Sequence, residues 1–572
     1  MSEHWGAEKA GFLASTGHAL ALGGPGAGKT HVALVKARNE IRSGLLRNGQ
    51  KVLFLSFARA TVGRIIEKAS ELIGGDELAH LETNTYHSFA WTILRSHGYL
   101  LNGHRGVQLL PPPEAAAHFS DIAKEEHQAE KERLFVQEGR LHFDLFARLA
   151  ATLLVEARKL RHIYCDAYPL IILDEFQDTD ADQWSLIKEL GRESRLIVLG
   201  DPDQRIYEFR GADPERLKDF VKEFEAATFD FTGENHRSGG TDITTFAKDL
   251  LVGANKGKAY NEVKVFPYGF YKGRSPYFFV KAELLRALKR LSDVPDRSLA
   301  ILVPSRNMML DVSEYLSKEA DEMPALEHEV AMDAEPPALA AAVIAAALAG
   351  GSPAEVASRL VSNLQTHVRG RGGRAGTPQI ELQLAGALGG YLATGKISGK
   401  NRKQIISECQ RIAGECAVCE FTGNPADDWL TVRRMFRTSP AFAIARVADD
   451  ARFLRLLHRG SALRTSLATL WKAQGNYGGA EQAVRDALLQ EHFAAAQSKA
   501  RGIHVMTMHK SKGKEFHEVI IFEGQYQGRL MRVPHDAKQV AQDRLTLLVA
   551  ATRAMKRTTI LTPKADPSKF FV

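Results

Sequence analysis

His18-Ala-Leu-Ala-Leu-Gly-Gly-Pro-Gly-Ala-Gly-Lys-Thr-His31 decides the fold. Residues 18–22 read as a short apolar strand, the turn that follows is glycine-rich, and a helical pattern opens at Lys29. In that strand–turn–helix setting the G-x-x-x-x-G-K-[ST] spacing makes a phosphate-binding loop. Along Gly23, Gly24, Pro25, Gly26, Ala27 and Gly28 the backbone N–H groups approach a bound phosphate closely, and the helix start adds positive potential. Lys29 reaches the β and γ phosphates, Thr30 offers its hydroxyl to Mg²⁺, and His31 follows as a further nucleotide-side residue.

Outward from this loop, apolar runs of strand length recur at 52–56, 170–173 and 196–199, with helical patterns between them. That alternation predicts an α/β fold, a parallel sheet flanked by helices. A second series at 299–303, 503–507, 519–522 and 558–561 predicts a second such unit. Mainly helical sequence interrupts each: 96–164, between the second and third strands of the first unit, and 336–499 in the second. The Gly/Arg run 369–374 reads as a flexible linker and the basic run 396–403 as a solvated loop. There is no fixed-period repeat.

The 572 residues carry 75 Lys+Arg against 68 Asp+Glu, a net +7, with 44% hydrophobic residues. Such composition excludes a disordered or fibrous chain and suits several domains, each with its own core. The mild positive excess fits a polyanionic partner. Four cysteines cannot staple a chain of this length, so a reducing compartment is expected. The first residues lack the basic-then-apolar pattern of a secretory signal, and the longest apolar run, 338–349, is too short to span a bilayer. A cytoplasmic protein is therefore expected. Cys409, Cys416 and Cys419 invite a zinc reading that lacks a fourth ligand; the same spacing places them on one helix face, and the core reading is preferred.

The strand at 170–173 runs into Asp174-Glu-Phe-Gln-Asp178, which puts two carboxylates at the C-terminal end of a strand, the edge where open α/β sheets bind ligands. Asp174 suits a metal ligand, and Glu175 suits the base that orients and deprotonates an attacking water.

Asp174-Glu-Phe-Gln-Asp-Thr179 is followed along the chain by four further segments: Gly200-Asp-Pro-Asp-Gln-Arg-Ile-Tyr-Glu-Phe-Arg-Gly-Ala212, Asn235-His-Arg-Ser238, Thr507-Met-His-Lys-Ser-Lys-Gly-Lys-Glu-Phe516 and Val549-Ala-Ala-Thr-Arg-Ala554. In this order they resemble the UvrD/Rep/PcrA-type superfamily 1A DNA helicases. The resemblance implies two RecA-like P-loop NTPase domains, 1–95 with 165–225 and 226–335 with 500–572, bearing helical insertions at 96–164 and 336–499. It implies ATP and Mg²⁺ as cofactors, with Gln204, Arg237 and Arg553 acting on the γ-phosphate and Glu515 near the ribose. Single-stranded DNA or a single-/double-strand junction is the implied partner, moved with 3′ to 5′ polarity. Phe57, Tyr207 and Phe209 match base-stacking positions, and Arg59, His87, Arg210, Thr507 and His509 match other strand-contacting ones. A buried-core reading is the alternative for each ring, and it weighs more for Tyr86 than for Phe57.

Departures from the family pattern accompany the matches. Glu8 stands where the family has an adenine-reading glutamine, and a carboxylate accepts hydrogen bonds but donates none, which puts base selectivity in question. His236 replaces the usual tyrosine and Phe209 the usual tryptophan. The sequence ends shortly after Arg553, so no nuclease domain is expected to follow. The alternative function is a helicase-derived ATPase that senses DNA and regulates a partner nuclease in antiphage defence, resembling the helicase-like subunit of Gabija-type systems; a repair protein is the other expected partner.

Overall fold

The computed structural model describes residues 5–24, 26–201, 213, 215–231, 241–269, 274–331, 335–372, 376–451, 462–493, 501–531 and 536–572. Two compact units emerge: Met1–Thr92, Ala147–Met332 and Ala495–Val572 form one, and Ile93–Phe146 with Asp333–Ala494 forms the other.

Strands β1 (Ala19–Leu22), β2 (Val52–Ser56) and β3 (Leu81–Thr85) open the first unit; a short parallel pair, β4 (Gln108–Leu109) and β5 (Arg140–Leu141), lies in the second. With β6 (Leu170–Leu173), β7 (Arg195–Gly200) and β8 (Ala227–Asp230) the first sheet closes in the order β3-β2-β6-β7-β1-β8, parallel throughout. β7 separates the strand feeding the phosphate loop from the strand ending at Asp174. The central strands β2 and β6 are buried at every position, as their unbroken apolar runs require. The edge strands β3 and β8 are half-exposed and polar, so no apolar run announces them. Since β3 precedes the first helical stretch, that stretch follows the third strand of the sheet, not the second.

The second sheet is built from β9 (Val263–Tyr268), β10 (Ser298–Val303), β11 (Glu329–Val330), β12 (Gly502–Thr507), β13 (Phe516–Phe522) and β14 (Ala554–Pro563), in the parallel order β11-β12-β10-β13-β14-β9. Along β10, Leu299, Ile301 and Val303 join one core, while Ala300 and Leu302 join the core on the opposite face. That division is the two-residue period of a strand covered on both sides. β9 carries Pro267 and pairs only with β14, the edge placement a residue without an N–H demands.

The other unit is mainly helical. Glu335–Leu348 is almost wholly alanine and branched apolar residues, and it is buried among Pro353–Gly370, Phe442–Ala451 and their neighbours. Ser352 and Glu355 cap the start of Pro353–Gly370 reciprocally, which fixes where that helix begins. At its end Gly370 is needed for close packing: a Cβ there would lie 2.6 Å from Leu339 Cδ1 and 3.1 Å from the backbone N of Ala117. The helix Pro112–His118 thus packs directly on the later helices, and Arg369 pairs with Asp121 at 3.2 Å. Cys409 and Cys416 lie in the apolar core of this unit, with Cys416 Sγ 3.6 Å from Met435 Sδ, while Cys419 is half-exposed. Among the described residues no helix is long and apolar enough to cross a membrane.

One buried cation braces the helix behind the phosphate loop. Lys36 Nζ donates to the carbonyls of Phe12, Leu13 and Ser15 at 2.8–3.1 Å, so it caps the C-terminal end of Ala7–Ala14. Burial, reinforced by the charge of Arg195, pulls its pKa down to about 8. Lys36→Ala leaves three carbonyls without their donor and should cost about 2 to 4 kcal/mol at neutral pH, read as a lower thermal midpoint. Because the folded pKa lies below the unfolded one, the wild type sheds the cost of a buried charge as pH rises through about 8. The gap between wild type and variant should therefore widen from pH 7 to pH 9; a constant gap would contradict this assignment.

Candidate nucleotide site and polynucleotide edge

The loop after β1 folds tightly against its neighbours. Gly23 N–H extends the ladder to the Gly200 carbonyl at 3.2 Å, and a Cβ on Gly23 would lie 3.0 Å from that of Ala27 and 3.3 Å from that of Phe231. Gly26 and Gly28 take the left-handed conformation, at φ 81° and 84°, that glycine adopts without strain. Gly28 is the N-cap of Lys29–Arg42, so Lys29, Thr30 and His31 occupy the first helical turn, where unpaired N–H groups and the helix dipole favour an anion. The Lys29 ammonium donates to the carbonyls of Gly23 and, at 3.3 Å, Gly24. The His31 ring lies 5.9 Å from that of Trp5, centroid to centroid.

Asp174 follows β6, and its N–H donates to Leu55 at 2.8 Å. It is buried; burial, then the adjacent Glu175 charge, pushes its carboxyl upward, with Lys29 opposing. Ser56 Oγ lies 3.5 Å from its Oδ2, and the buried Tyr86 donates to its backbone carbonyl at 3.3 Å. A buried carboxylate with hydroxyls on adjacent elements is a hard-oxygen donor set, and it fits Mg²⁺ held by Asp174 and Thr30.

Glu175 adopts a left-handed backbone, φ 54° and ψ 36°, unusual for a residue with a side chain. Gln177 Nε2 donates to its Oε2 at 2.6 Å, while Gln177 Oε1 accepts from Asp201 N–H at 3.1 Å, tying Glu175 to the end of β7. Burial opposes its charge, but Lys512, Lys29 and Arg553 outweigh burial and hold its carboxyl below the usual range. Lys512 Nζ is 3.6 Å from Glu175 Oε2 and is also bonded to Asp178. Burial pushes Asp178 up to about 7 against the pull of that lysine.

Arg553, just beyond the helix Ala537–Ala551, is buried; it donates through Nε to Val549 O at 2.8 Å and through Nη2 to Thr552 Oγ1 at 3.1 Å. Its charge nonetheless reaches Glu175. Arg64, on Arg59–Leu72, donates to Glu515 at 2.6 Å and to the Gly513 carbonyl at 3.1 Å, so Glu515 is engaged by a residue following β2. Glu8 is exposed and accepts from Asp230 N–H at 3.1 Å, linking the N-terminal helix to β8.

The other expected strand-contacting residues sit beyond the C-terminal ends of their strands. Ser56 and Thr85 are in register on the neighbouring strands β2 and β3, and Phe57 and His87, both half-buried, follow their C-terminal ends, with Arg59 exposed at the start of the next helix. Thr507 ends β12 in register with Val303, and His509 lies in the 3-10 turn Met508–Ser511. Pro25, Gln204, Tyr207, Phe209, Arg210, His236 and Arg237 fall outside the described residues. Sequence reasoning passed over Ser56, Arg64, Gln177, Asp178 and Lys512. Three of these stand inside the quoted motifs, but their pairings join segments remote in sequence.

A family model for the UvrD/REP helicase N-terminal domain matches residues 6–139 and 126–225. Residues 6–225 are thus similar to that family's N-terminal domain. It is 25% identical over 283 residues to the ATP-dependent DNA helicase Rep of Salmonella typhimurium, covering 42% of each chain. It is 22% identical over 363 residues to the ATP-dependent DNA helicase PcrA of Staphylococcus aureus, covering 54% of this chain and 49% of that one. The chain spans about half the length of the curated relatives it matches.

Gln177 is the polar brace nearest the strained carboxylate. Gln177→Leu keeps the size of the side chain but removes both hydrogen bonds, and should lower nucleoside-triphosphate turnover roughly 10- to 100-fold while nucleotide affinity changes little. Steady-state turnover beside nucleotide titration checks this; unchanged turnover would remove Gln177 from the site.

Proposed function

We propose that the chain is an ATP-dependent single-stranded-DNA translocase and DNA helicase. The observation that carries this is that Lys512, from the segment after β12 of the second sheet, lies 3.6 Å from Glu175 Oε2 at the end of the first sheet, with the charges of Lys29 and Arg553 acting on the same carboxylate. A hydrolytic carboxylate supplied from two sheets couples triphosphate cleavage to their relative position. The two relatives described above are both named ATP-dependent DNA helicases, which supports the same reading.

In this mechanism the glycine-rich loop and the N-terminus of Lys29–Arg42 bind the phosphates, and Lys29 exchanges its loop carbonyls for phosphate oxygens. Mg²⁺ held by Thr30 and Asp174 would supply charge neutralisation at the phosphate oxygens. Glu175, kept ionised, accepts the proton of the attacking water, and Gln177 fixes its orientation. Arg553, with Arg237 and Gln204, answers the charge that develops on the transferred phosphoryl group.

Phe57 and His87 on one sheet and Thr507 and His509 on the other bind the strand, together with Tyr207, Phe209, Arg59 and Arg210; stacking is worth about 1 to 3 kcal/mol per base. Alternation of grip between the sheets moves the motor 3′ to 5′; the alternative reading is a helicase-derived, DNA-sensing ATPase that regulates a partner nuclease. His236 and Glu515 serve the base and ribose side of the nucleotide.

Lys29→Ala should bind a labelled single-stranded oligonucleotide within about 2-fold of wild type, because the strand lies on other residues, while DNA-stimulated ATP turnover is lost. Anisotropy and a coupled ATPase assay measure the two. Retained turnover in the variant would overturn the site assignment, and RNA stimulating as well as DNA would overturn the substrate class.

A further inference from the structure

We propose that Trp5 and Glu8 form a nucleobase subsite that takes guanine at least as readily as adenine. The inference rests on the nucleotide site proposed above and names what its base end accepts. Strand order fixes where that end lies. The first sheet runs β6-β7-β1-β8, so the glycine-rich loop after β1 has the carboxylates after β6 on one side and β8 on the other. In the proposed mechanism hydrolysis takes place at Asp174 and Glu175. The γ-phosphate therefore lies toward β6, and the nucleoside extends toward β8.

The N-terminal helix Ala7–Ala14 is fastened along β8 with its start at that edge. A Cβ on Gly11 would lie 3.2 Å from Phe229 Cε1, and the fully buried Phe12 meets the rings of Phe229 and Phe231 edge-on. One turn earlier, Glu8 Oε2 accepts from Asp230 N–H at 3.1 Å, and Asp230 is in register with Leu22, the last residue before the loop. Helix and strand thus run in opposite directions, which brings the helix start to the C-terminal edge of the sheet. Trp5, just before that start, is half-buried, and its ring lies 5.9 Å from that of His31 in the first turn after the loop. A base leaving the phosphates on this side meets an aromatic face from Trp5 and a carboxylate from Glu8, both delivered by one anchored helix.

The carboxylate decides which base is favoured. Glu8 gives one oxygen to the Asp230 N–H, and the lone pairs that remain accept further donors. Guanine presents N1–H and its 2-amino group side by side, two donors that one carboxylate accepts together. Adenine presents its amino group beside ring nitrogens that carry lone pairs, so one contact is a bond and the next a repulsion. Ring faces are common to all bases, so Trp5 adds affinity without choosing among them.

The test titrates the full chain with ATP, GTP and inosine triphosphate labelled on the ribose. It also measures KM and kcat for the unlabelled nucleotides, with and without saturating oligo(dT). GTP should bind at least as tightly as ATP, and inosine triphosphate, which lacks only the 2-amino group of GTP, about 10-fold more weakly than GTP. Glu8→Gln keeps an acceptor for the Asp230 N–H but adds an amide donor. It should move the preference about 10-fold toward ATP, in KM and analogue affinity rather than in kcat. Trp5→Ala should weaken all three nucleotides alike, by about 10-fold. A wild type that prefers ATP to GTP by more than about 3-fold, inosine triphosphate bound as tightly as GTP, or an unchanged preference in Glu8→Gln would overturn the base assignment. The expected base preferences in a chain whose turnover oligo(dT) does not raise would instead overturn the proposed function.

Discussion

A carboxylate that abstracts a proton must stay ionised, and in the proposed mechanism Glu175 has to do so while largely withdrawn from water. Taking a lone charge out of water costs several kcal/mol, which ordinarily drives such a group to neutrality. Asp174 and Asp178, on either side of it in sequence, move in that direction. Glu175 moves the other way because the charges of Lys512, Lys29 and Arg553 outweigh its burial. The site is therefore incomplete on either sheet alone, and the closeness of the two sheets sets its chemistry.

Parallel-sheet construction makes that closeness available. Every crossover returns the chain to the same end of the sheet, so the ends of β1, β2, β6 and β7 gather the glycine-rich loop, Phe57, Asp174 and Asp201 along one edge. The second sheet gathers Thr507 and the segment to Glu515 at the end of β12 in the same way. Polar residues at these edges cost little folding energy, because the apolar runs behind them are already covered on both faces. The helical unit follows another rule: its density of alanine lets helices approach closely, and Gly370 marks the tightest approach to the helix from the earlier stretch.

The inner strands were legible in the sequence because burial on two faces leaves unbroken apolar runs, as in β2 and β6. The edge strands were not: Leu81-Glu-Thr-Asn-Thr85 spends its side chains on half-exposed surface, and Pro267 masks β9. At the site, residue types and spacing were enough to nominate Lys29, Thr30, Asp174 and Glu175, whereas Arg553 came from the resemblance alone. The pairing of Lys512 with Asp178 spans 334 positions and has no local signature, since a lysine in a polar turn reads the same whether solvated or buried. Glu8 illustrates the converse: its chemistry was readable, but its engagement of the Asp230 N–H depends on β8, an edge strand the pattern conceals.

The central claim is that residues of both sheets act on one triphosphate. A crystal structure of the chain with a non-hydrolysable ATP analogue, Mg²⁺ and a short DNA strand tests it most directly. The account predicts Lys29 withdrawn from the Gly23 and Gly24 carbonyls onto phosphate oxygens, with Arg553 turned from Val549 and Thr552 toward the γ-phosphate. A bound analogue contacted only by residues of the first sheet, with Arg553 still on Val549 and Lys512 parted from Glu175, would contradict it.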